Sequence, residues 1–253
     1  SNSSAPNSAT ALARMAANII HEVNQEVADV APKERSFVQS HSLRQGLKKF
    51  KDKGYQAALD EMRQLHGRNC FEPIDVKSLT PIERKRALES LIFLVEKRDG
   101  RIKARTCANG SVERAWTQKE EAASPTATTE SILLTAVIDA EEHRDVATID
   151  VPNAFIQTDV EDNSDGSRVI MKIRGPLVGM LVELAPEVYE KFVACEGKNQ
   201  DKVLYVRVLK AIYGMLKSAL LFYRKLRSDL EQIGFVVNPY DICVANRMVD
   251  GKQ

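Results

Sequence analysis

The sequence lacks the features that mark several specialised classes of protein. Its four cysteines form no Cys-x-x-Cys pair, and its four histidines show no spacing typical of a zinc site. His66 and Cys70 lie four residues apart, but a lone pair is a poor zinc site. No apolar run approaches the roughly 20 residues that a membrane helix needs. The sequence therefore favours a protein with reduced thiols inside the cell, without a membrane span.

A strong net charge is also missing. The 36 basic and 35 acidic residues give a formal net charge of +1. A dedicated nucleic-acid binder is usually much more basic, so the overall charge does not argue for DNA or RNA, although a local cleft can still be basic. The 253 residues, 43% of them hydrophobic, suffice for the core of one large domain or two small ones.

Both ends of the sequence look cut. The chain begins with Ser rather than Met, and its polar, uncharged start, SNSSAPNSAT, has no character of a secretory signal. It ends on Asp-Gly-Lys-Gln at residues 250–253, a sequence typical of a hairpin turn. We expect a piece of a longer protein.

Helical spacing of apolar residues predicts four helices. They cover residues 11–30, 42–65, 132–140 and 216–233. The second carries a run of lysines near its start, which is interpreted either as a solvated face or as a phosphate-binding patch. Thr-Pro-Ile-Glu at residues 80–83 predicts a further short helix to about residue 90, because Thr caps a helix and Pro suits its first position.

Strand patterns alternate with these helices. Residues 91–97 and 101–107 flank Asp99-Gly100, the strongest short-range signal for a hairpin. Basic and apolar residues alternate in the second of these strands, so one face should be cationic. Further strands are predicted at residues 146–151, where the strand should be buried, at 168–173 and at 203–209, with a loop and a short helix at about 186–195 between the last two. The mixture predicts an α+β fold with mainly antiparallel pairing.

Asp150 is the first candidate for chemistry. It ends an apolar run and precedes a short turn and Phe155, a position from which a carboxylate can project into a cleft. The alternative is a helix N-cap, because Asp before Val151-Pro152 often caps a helix, and the spacing alone favours this cap.

Four segments resemble the reverse transcriptase region of copia-type retrotransposon polyproteins. RIKARTCANG resembles the fingers strand, IDVPNAFIQTDV the first catalytic motif, LKAIYGMLKSALLFYRKL the Leu-Tyr-Gly motif and its helix, and GFVVNPYDICVANR the stretch before the polymerase active hairpin. They occupy residues 101–110, 149–160, 209–226 and 234–247. Each motif alone is weak, but four in the right order are a strong signal. The resemblance covers about residues 78–253, with a weaker similarity to the upstream connector at 41–74.

The resemblance implies the fingers and part of the palm of a right-hand polymerase. In this interpretation residues 78–253 form an incomplete α+β fingers and palm, residues 41–77 a helical connector, and residues 1–40 a disordered or helical segment. The implied partners are an RNA template, a DNA primer, a deoxynucleoside triphosphate and the remainder of the polyprotein. The implied location is the cytoplasm or a virus-like particle, with access to the nucleus.

The resemblance also implies a metal-dependent reaction. Two Mg²⁺ ions, held by hard oxygen ligands, would join the primer 3′ oxygen to the incoming triphosphate. Asp150 would be the shared carboxylate of both ions, and Val151 would offer its backbone carbonyl. Asp150 is thus the implied catalytic residue.

Five residues would contact the nucleotide: Lys103, Arg105, Phe155, Tyr213 and Gly214. Lys103 and Arg105 would reach the triphosphate, although both are equally interpreted as solvated strand charges. Phe155 would lie under the sugar and exclude a 2′-hydroxyl by its bulk. Tyr213-Gly214 would approach the nucleotide and template, where a simple strand-to-helix turn is the alternative for Gly214.

The sequence departs from the family pattern in three places. Leu-Lys-Ser-Ala at residues 216–219 stands where many relatives carry Lys-Gln-Ala-Pro, and Phe222-Tyr223 replaces Trp-Tyr. Acidic residues crowd positions 159–165, which are interpreted as a solvated loop. The Tyr-x-Asp-Asp motif, which supplies further metal ligands, is not among the 253 residues. We therefore expect no polymerase activity from this chain alone.

Two other functions stay open. A truncated or decayed element could persist as a non-enzymatic protein that binds nucleic acid or forms oligomers. A small-molecule enzyme of α+β type is less favoured, because the sequence contains no phosphate-binding glycine loop, catalytic triad or metal cluster.

Overall fold

A computed structural model describes residues 39–249 of the chain. The described residues divide into two units, one of residues 128–147 and the other of residues 39–127 with 148–249. The helix predicted at residues 11–30 lies outside the described residues. The domain boundaries expected at residues 40 and 77 stay a prediction.

A seven-stranded sheet forms the centre of the larger unit. Its strands are β1 (Ser40–Ser42), β2 (Phe71–Ile74), β3 (Leu88–Glu96), β4 (Ile102–Ala108), β5 (Ile170–Arg174), β6 (Ala194–Glu196) and β7 (Asp201–Val208). The strand order is β1-β3-β5-β7-β2, with β4 also paired to β3 and β6 to β7. Within this sheet the β3–β5 pair is parallel and the others are antiparallel. The predicted α+β class with a mainly antiparallel sheet is confirmed.

Helices and a second, two-stranded sheet complete the described residues. In chain order the helices are α1 (Leu43–Gly67), α2 (Pro81–Arg86), α3 (Thr129–Glu141), α4 (Pro176–Leu184), α5 (Pro186–Tyr189) and α6 (Ser218–Gln232). Non-helical backbone at Lys51 divides α1 into two parts. The short strands β8 (Val236–Val237) and β9 (Ala245–Asn246) pair with each other after α6. Helix α3 belongs to the smaller unit.

The β3–β4 hairpin forms where Asp99-Gly100 predicts it. Gly100 has a φ of +77°, which suits glycine, and the Arg101 N–H donates to the Asp99 carboxylate at 3.0 Å. Alternation along β4 leaves Lys103 and Arg105 exposed and buries Ala104. The predicted cationic face of the second strand is therefore confirmed.

The main core lies between one face of the sheet and helices α1 and α4. Apolar side chains from both layers are almost fully buried there, which is the main source of stability for such a layer pair. They include Ala58, Met62 and Leu65 of α1, Val178 and Leu181 of α4, and Met171, Ile173, Leu204 and Val206 of the sheet. Tyr55 of α1 also donates to Glu183 of α4 at 2.5 Å.

Helix α2 and a smaller apolar cluster cover part of the opposite face. Thr80 and Glu83 form the predicted capping box, in which the Glu83 N–H donates to the Thr80 hydroxyl and the Thr80 N–H to the Glu83 carboxylate. The helix ends at Arg86, before the predicted residue 90, because Leu88 and Glu89 already pair with β5. Residues predicted as the last turn of the helix therefore belong to β3 instead.

Two predictions of secondary structure are wrong. Residues 146–151 form no strand, and Val146 and Ile149 are 73% and 86% exposed. An apolar run becomes a strand only where a neighbour pairs with its backbone, and none of the described strands does so here. The region between β5 and β7 was predicted as loop with one short helix, but it also contains α4, whose apolar residues are needed to cover the sheet.

Candidate functional site

The segments that carry the sequence resemblance come together beside the end of β4. The Tyr213 ring lies against the Phe155 ring, with 4.6 Å between centroids, and Phe155 also contacts Phe222 at 6.3 Å. We call Phe155, Tyr213 and Phe222 the aromatic cluster. The Ala108 N–H donates to the Tyr213 carbonyl at 2.7 Å, which joins β4 to the cluster. Residues from three segments far apart in sequence therefore share one location.

The fourth segment joins the same region through α6. The Tyr223 hydroxyl donates to the Ile242 carbonyl at 3.1 Å, so the segment around β8 and β9 is attached to the helix that carries Phe222. Gly234 ends this helix with a φ of +90°, as its sequence predicts. The four segments thus form one connected structure.

Backbone pairing explains why Phe155 meets Tyr213. The Val160 N–H donates to the Leu209 carbonyl at 2.9 Å, and the Ala211 N–H donates to the Thr158 carbonyl at 2.9 Å. This places the end of the 149–160 segment antiparallel to the chain that leads into Tyr213. Buried Ile156 and Ile212 hold the two segments in the core, so the neighbouring aromatic rings meet at its border.

Gly214 allows a close approach that no other residue would. Its φ is +90°, and a Cβ there would lie 2.1 Å from the Ala108 carbonyl oxygen. Gly110, which follows β4, faces Gly214, since a Cβ on Gly110 would lie 2.2 Å from the Gly214 carbonyl oxygen. The turn expected at Gly214 is therefore present, and it is also a contact between two backbones.

Lys103 and Arg105 lie on the exposed face of the strand that leads to this contact. Neither forms an ion pair with any residue that the structure describes. Their charges still act on Glu61 of α1, whose carboxylate accepts the Thr106 N–H at 2.8 Å. Burial raises the pKa of Glu61, and the Thr106 hydrogen bond and the two cations oppose that shift. Both cations are thus positioned but free to meet an anion.

Asp150 and Val151 lie in the exposed, extended segment before Phe155. Asp150 has no hydrogen-bond partner among the described residues, and it does not cap a helix: the short 3-10 helix Phe155–Gln157 has Ala154 at its N-cap. Asp150 is therefore accessible, but neither the predicted strand nor the alternative cap holds it in place.

The described residues do not fit a two-Mg²⁺ site. Among residues 39–249 no group of three or more His, Cys, Asp or Glu side chains is close enough to hold a metal ion. Mg²⁺ requires near-octahedral oxygen coordination, and Asp150 offers one carboxylate beside the Val151 carbonyl. We therefore derive no reaction step through a metal from these residues.

Glu113 is a component of this region that sequence reasoning missed. It is 6% exposed, and its carboxylate accepts the Leu216 N–H at 2.8 Å, just after the Tyr213-Gly214 turn. Burial raises its pKa, against the Leu216 hydrogen bond and the charge of Lys217. Its neighbours in sequence, Ser-Val before it and Arg-Ala after it, give no signal that an acid at this position is buried.

Comparisons with known proteins give no match: no family model, no curated protein and no solved structure is similar to this chain. Among the described helices, none is long and apolar enough to cross a membrane. The aromatic cluster, the cationic face of β4 and the contact between Ala108 and Gly214 together define the candidate site.

Proposed function

We propose that this chain is part of the reverse transcriptase region of a copia-type retrotransposon polyprotein. The observation that carries the proposal is that three of the four family-like segments meet at the aromatic cluster and that the fourth is bonded to the helix that carries Phe222. The resemblance of each segment depends on sequence alone, and the first segment ends at residue 110 while the last begins at residue 234. Unrelated chance matches have no reason to come together in the fold, whereas parts of one nucleotide site do.

The site is suited to bind a nucleotide or the end of a primer on its template. Tyr213, which is 38% exposed, and the partly buried Phe155 offer aromatic surface on which a base or sugar can pack. Arg105 lies three residues before Ala108, about 10 Å along the strand, so a triphosphate that extends from the cluster would reach its charge. Gly214 keeps the turn free of a side chain beside the ligand.

Metal-dependent nucleotidyl transfer belongs to the proposal only for a site with more carboxylates than Asp150. We expect the purified 253-residue chain to bind a primer annealed to an RNA template but not to extend it. The non-enzymatic alternative, a remnant that binds nucleic acid or forms oligomers, shares the binding step and differs in the use of Asp150. In that alternative Asp150→Asn would change neither the affinity for the primer-template nor the dependence of that affinity on Mg²⁺.

Fluorescence anisotropy with a labelled RNA template and DNA primer tests the binding site. Tyr213→Ala removes a stacking ring and should weaken binding by about tenfold, the usual effect of one lost base contact. Tyr55→Ala is the matched control, because Tyr55 is also 38% exposed and lies on α1, outside the four segments. Equal affinity of both variants and the parent protein would contradict the proposed site.

Calorimetric titration of the primer-template complex with single nucleotides tests the role of Phe155. With the parent protein a deoxynucleoside triphosphate should bind more tightly than the ribonucleotide, and Phe155→Val should reduce that preference about tenfold, as expected when a steric exclusion is removed. The same loss of affinity for both nucleotides would assign Phe155 to packing alone. Detection of primer extension by the parent chain would overturn the expectation that it is inactive.

A further inference from the structure

We propose that Glu113 is a positioning residue that holds the Tyr213–Leu216 turn against the end of β4 and thereby fixes the Tyr213 ring beside Phe155. Its importance for ligand binding rests on the proposed function, but the mechanical role does not. Glu113 touches neither ring of that pair by any described hydrogen bond or ring contact, and it acts through the backbone of the turn.

The surroundings of the Glu113 carboxylate disfavour a charged group. It is 6% exposed, and the Leu216 N–H is the one hydrogen bond described for its side chain. No ion pair with a lysine or arginine compensates it within the part of the chain that the structure describes. Burial of a carboxylate with a single partner costs stability, so a leucine or glutamine of similar size would serve packing better.

The rest of the turn is held by backbone contacts at its start. The Ala108 N–H donates to the Tyr213 carbonyl at 2.7 Å. Gly110 and Gly214 bring the two backbone segments so close that neither position has room for a Cβ. A Cβ on Gly110 would also lie 2.7 Å from the Glu113 Oε2 atom, so the carboxylate fills the space beside this contact. Glu113 therefore closes the far end of a turn whose near end is fixed by Ala108.

The chain after the turn depends on the same bond. Leu216 lies two residues before Ser218, where α6 begins, and the Ser218 hydroxyl donates to the Ile212 carbonyl at 2.6 Å. Glu113 and Ser218 thus hold the turn through two separate hydrogen bonds. Without the Glu113 bond the Leu216 N–H would be left without its described partner, and the turn would open more often at that end.

Two single substitutions separate the effect of side-chain length from the effect of charge at Glu113. Glu113→Asp keeps the charge but is shorter by one methylene, so it should not reach the Leu216 N–H. Glu113→Gln keeps the length and a carbonyl acceptor but removes the charge. Glu120→Asp is the control, since Glu120 is exposed and has no described partner.

Residue-resolved amide hydrogen exchange gives a readout that is independent of any ligand. We expect the Leu216 amide to exchange about tenfold faster in Glu113→Asp, relative to core amides of β7, and within about threefold of the parent protein in Glu113→Gln. Faster exchange in both variants, or in neither, would overturn the proposal. If Glu113→Asp does not fold, Glu113→Ala, which also removes the acceptor, takes its place with the same expectation, and unchanged exchange at Leu216 in that variant refutes the proposal.

Primer-template binding by the same variants relates the turn to the proposed function. Glu113→Asp should weaken binding about tenfold and Glu113→Gln should restore it to within about threefold, a rescue that a general packing defect would not show. If the parent protein does not bind the primer-template at all, the proposed function fails while the exchange result stands. If the parent binds and the aspartate variant binds equally well, Glu113 holds the turn but does not position the site.

Discussion

Two groups of cations on the same sheet differ in whether they form ion pairs. On β5, β7 and the chain before β5, four cations face carboxylates: Lys172 with Glu196, Arg174 with Glu89, Arg207 with Asp162, and Arg168 with Glu83. On β4, Lys103 and Arg105 have no ion pair among residues 39–249. The contrast concerns pairing and not exposure, since Arg174 is itself half exposed.

This difference separates charges that serve the fold from charges left for a ligand. A cation already paired with a carboxylate must give up that partner before it can bind a phosphate, whereas an unpaired one has nothing to exchange. The backbone is closely packed where Gly214 meets Ala108, at the end of the strand that carries these two cations. The candidate site thus combines unpaired side-chain charges with a closely packed backbone.

The tight backbone at the site predicts the largest effect. Gly214→Ala should lower the free energy of unfolding by about 3 kcal/mol or more, because it combines a disfavoured positive φ with a backbone clash. Gly234→Ala is the matched control: it has the same φ of +90°, but the nearest atom to its Cβ would be 3.9 Å away. It should cost about 1 kcal/mol, the conformational penalty alone.

Urea unfolding followed by circular dichroism measures both variants. A difference of about 2 kcal/mol between them assigns the excess to the contact with Ala108. Equal losses would mean that the Ala108–Gly214 approach relaxes without cost, and the site would then be no more rigid than an ordinary helix end.

The second-largest expected loss of stability concerns Glu83, which forms an ion pair with Arg168. Its carboxylate is buried and accepts hydrogen bonds from Arg168 and Thr80. The Arg168 hydrogen bond is the largest of the causes that lower the pKa of Glu83 to about 2. Because the folded pKa is lowered, the stabilisation is complete above the ordinary value near 4.5 and is lost as the pH falls toward about 2.

Glu83→Gln should therefore lower the free energy of unfolding by about 2–3 kcal/mol at pH 7 and by much less near pH 2. Urea titrations of both proteins between these pH values measure the difference, in which the titration of other carboxylates cancels. Glu161→Gln, at an exposed acid with no described partner, is the control and should show no such pH dependence. A gap between parent and Glu83→Gln that stays constant with pH would show that Glu83 acts by packing or capping and not by its charge.

Local signals predicted much of this fold. Asp99-Gly100 fixed the β3–β4 hairpin, the capping pair of Thr80 and Glu83 marked the start of α2, and Gly234 marked the end of α6. Each acts within a few residues, so the sequence around it is enough to recognise it. The boundary of α2 was wrong because Leu88 belongs to a sheet pair with Met171, more than eighty residues away.

Predictions that needed a distant partner were less successful. Residues 146–151 have the composition of a strand but no described neighbour that pairs with them, and composition cannot report this. Asp162 and Asp165, in a stretch interpreted as a solvated loop, form ion pairs with Arg207 and Arg86. The contact of Phe155 with Tyr213 was suggested only by the family resemblance, and the burial of Glu113 by no feature of the sequence.

The smallest expected effect tests the unpaired cations directly. The double substitution Lys103→Gln with Arg105→Gln should change the free energy of unfolding by no more than about 0.5 kcal/mol, because no ion pair is lost. It should weaken primer-template binding about tenfold and make that binding less sensitive to salt, since fewer counterions are released. The matched double substitution Arg174→Gln with Arg207→Gln has the opposite expectation: a loss of about 1 kcal/mol in stability and unchanged binding.

Anisotropy at two salt concentrations and urea unfolding of the same samples measure both quantities. Because each variant loses two positive charges, a change in binding caused by net charge alone would appear equally in both. If both variants bind equally weakly, the cations act through the overall field of the protein, and pairing does not separate the two regions. If only the β4 variant loses affinity while only the β5–β7 variant loses stability, the pairing of a cation determines whether it serves the ligand or the fold.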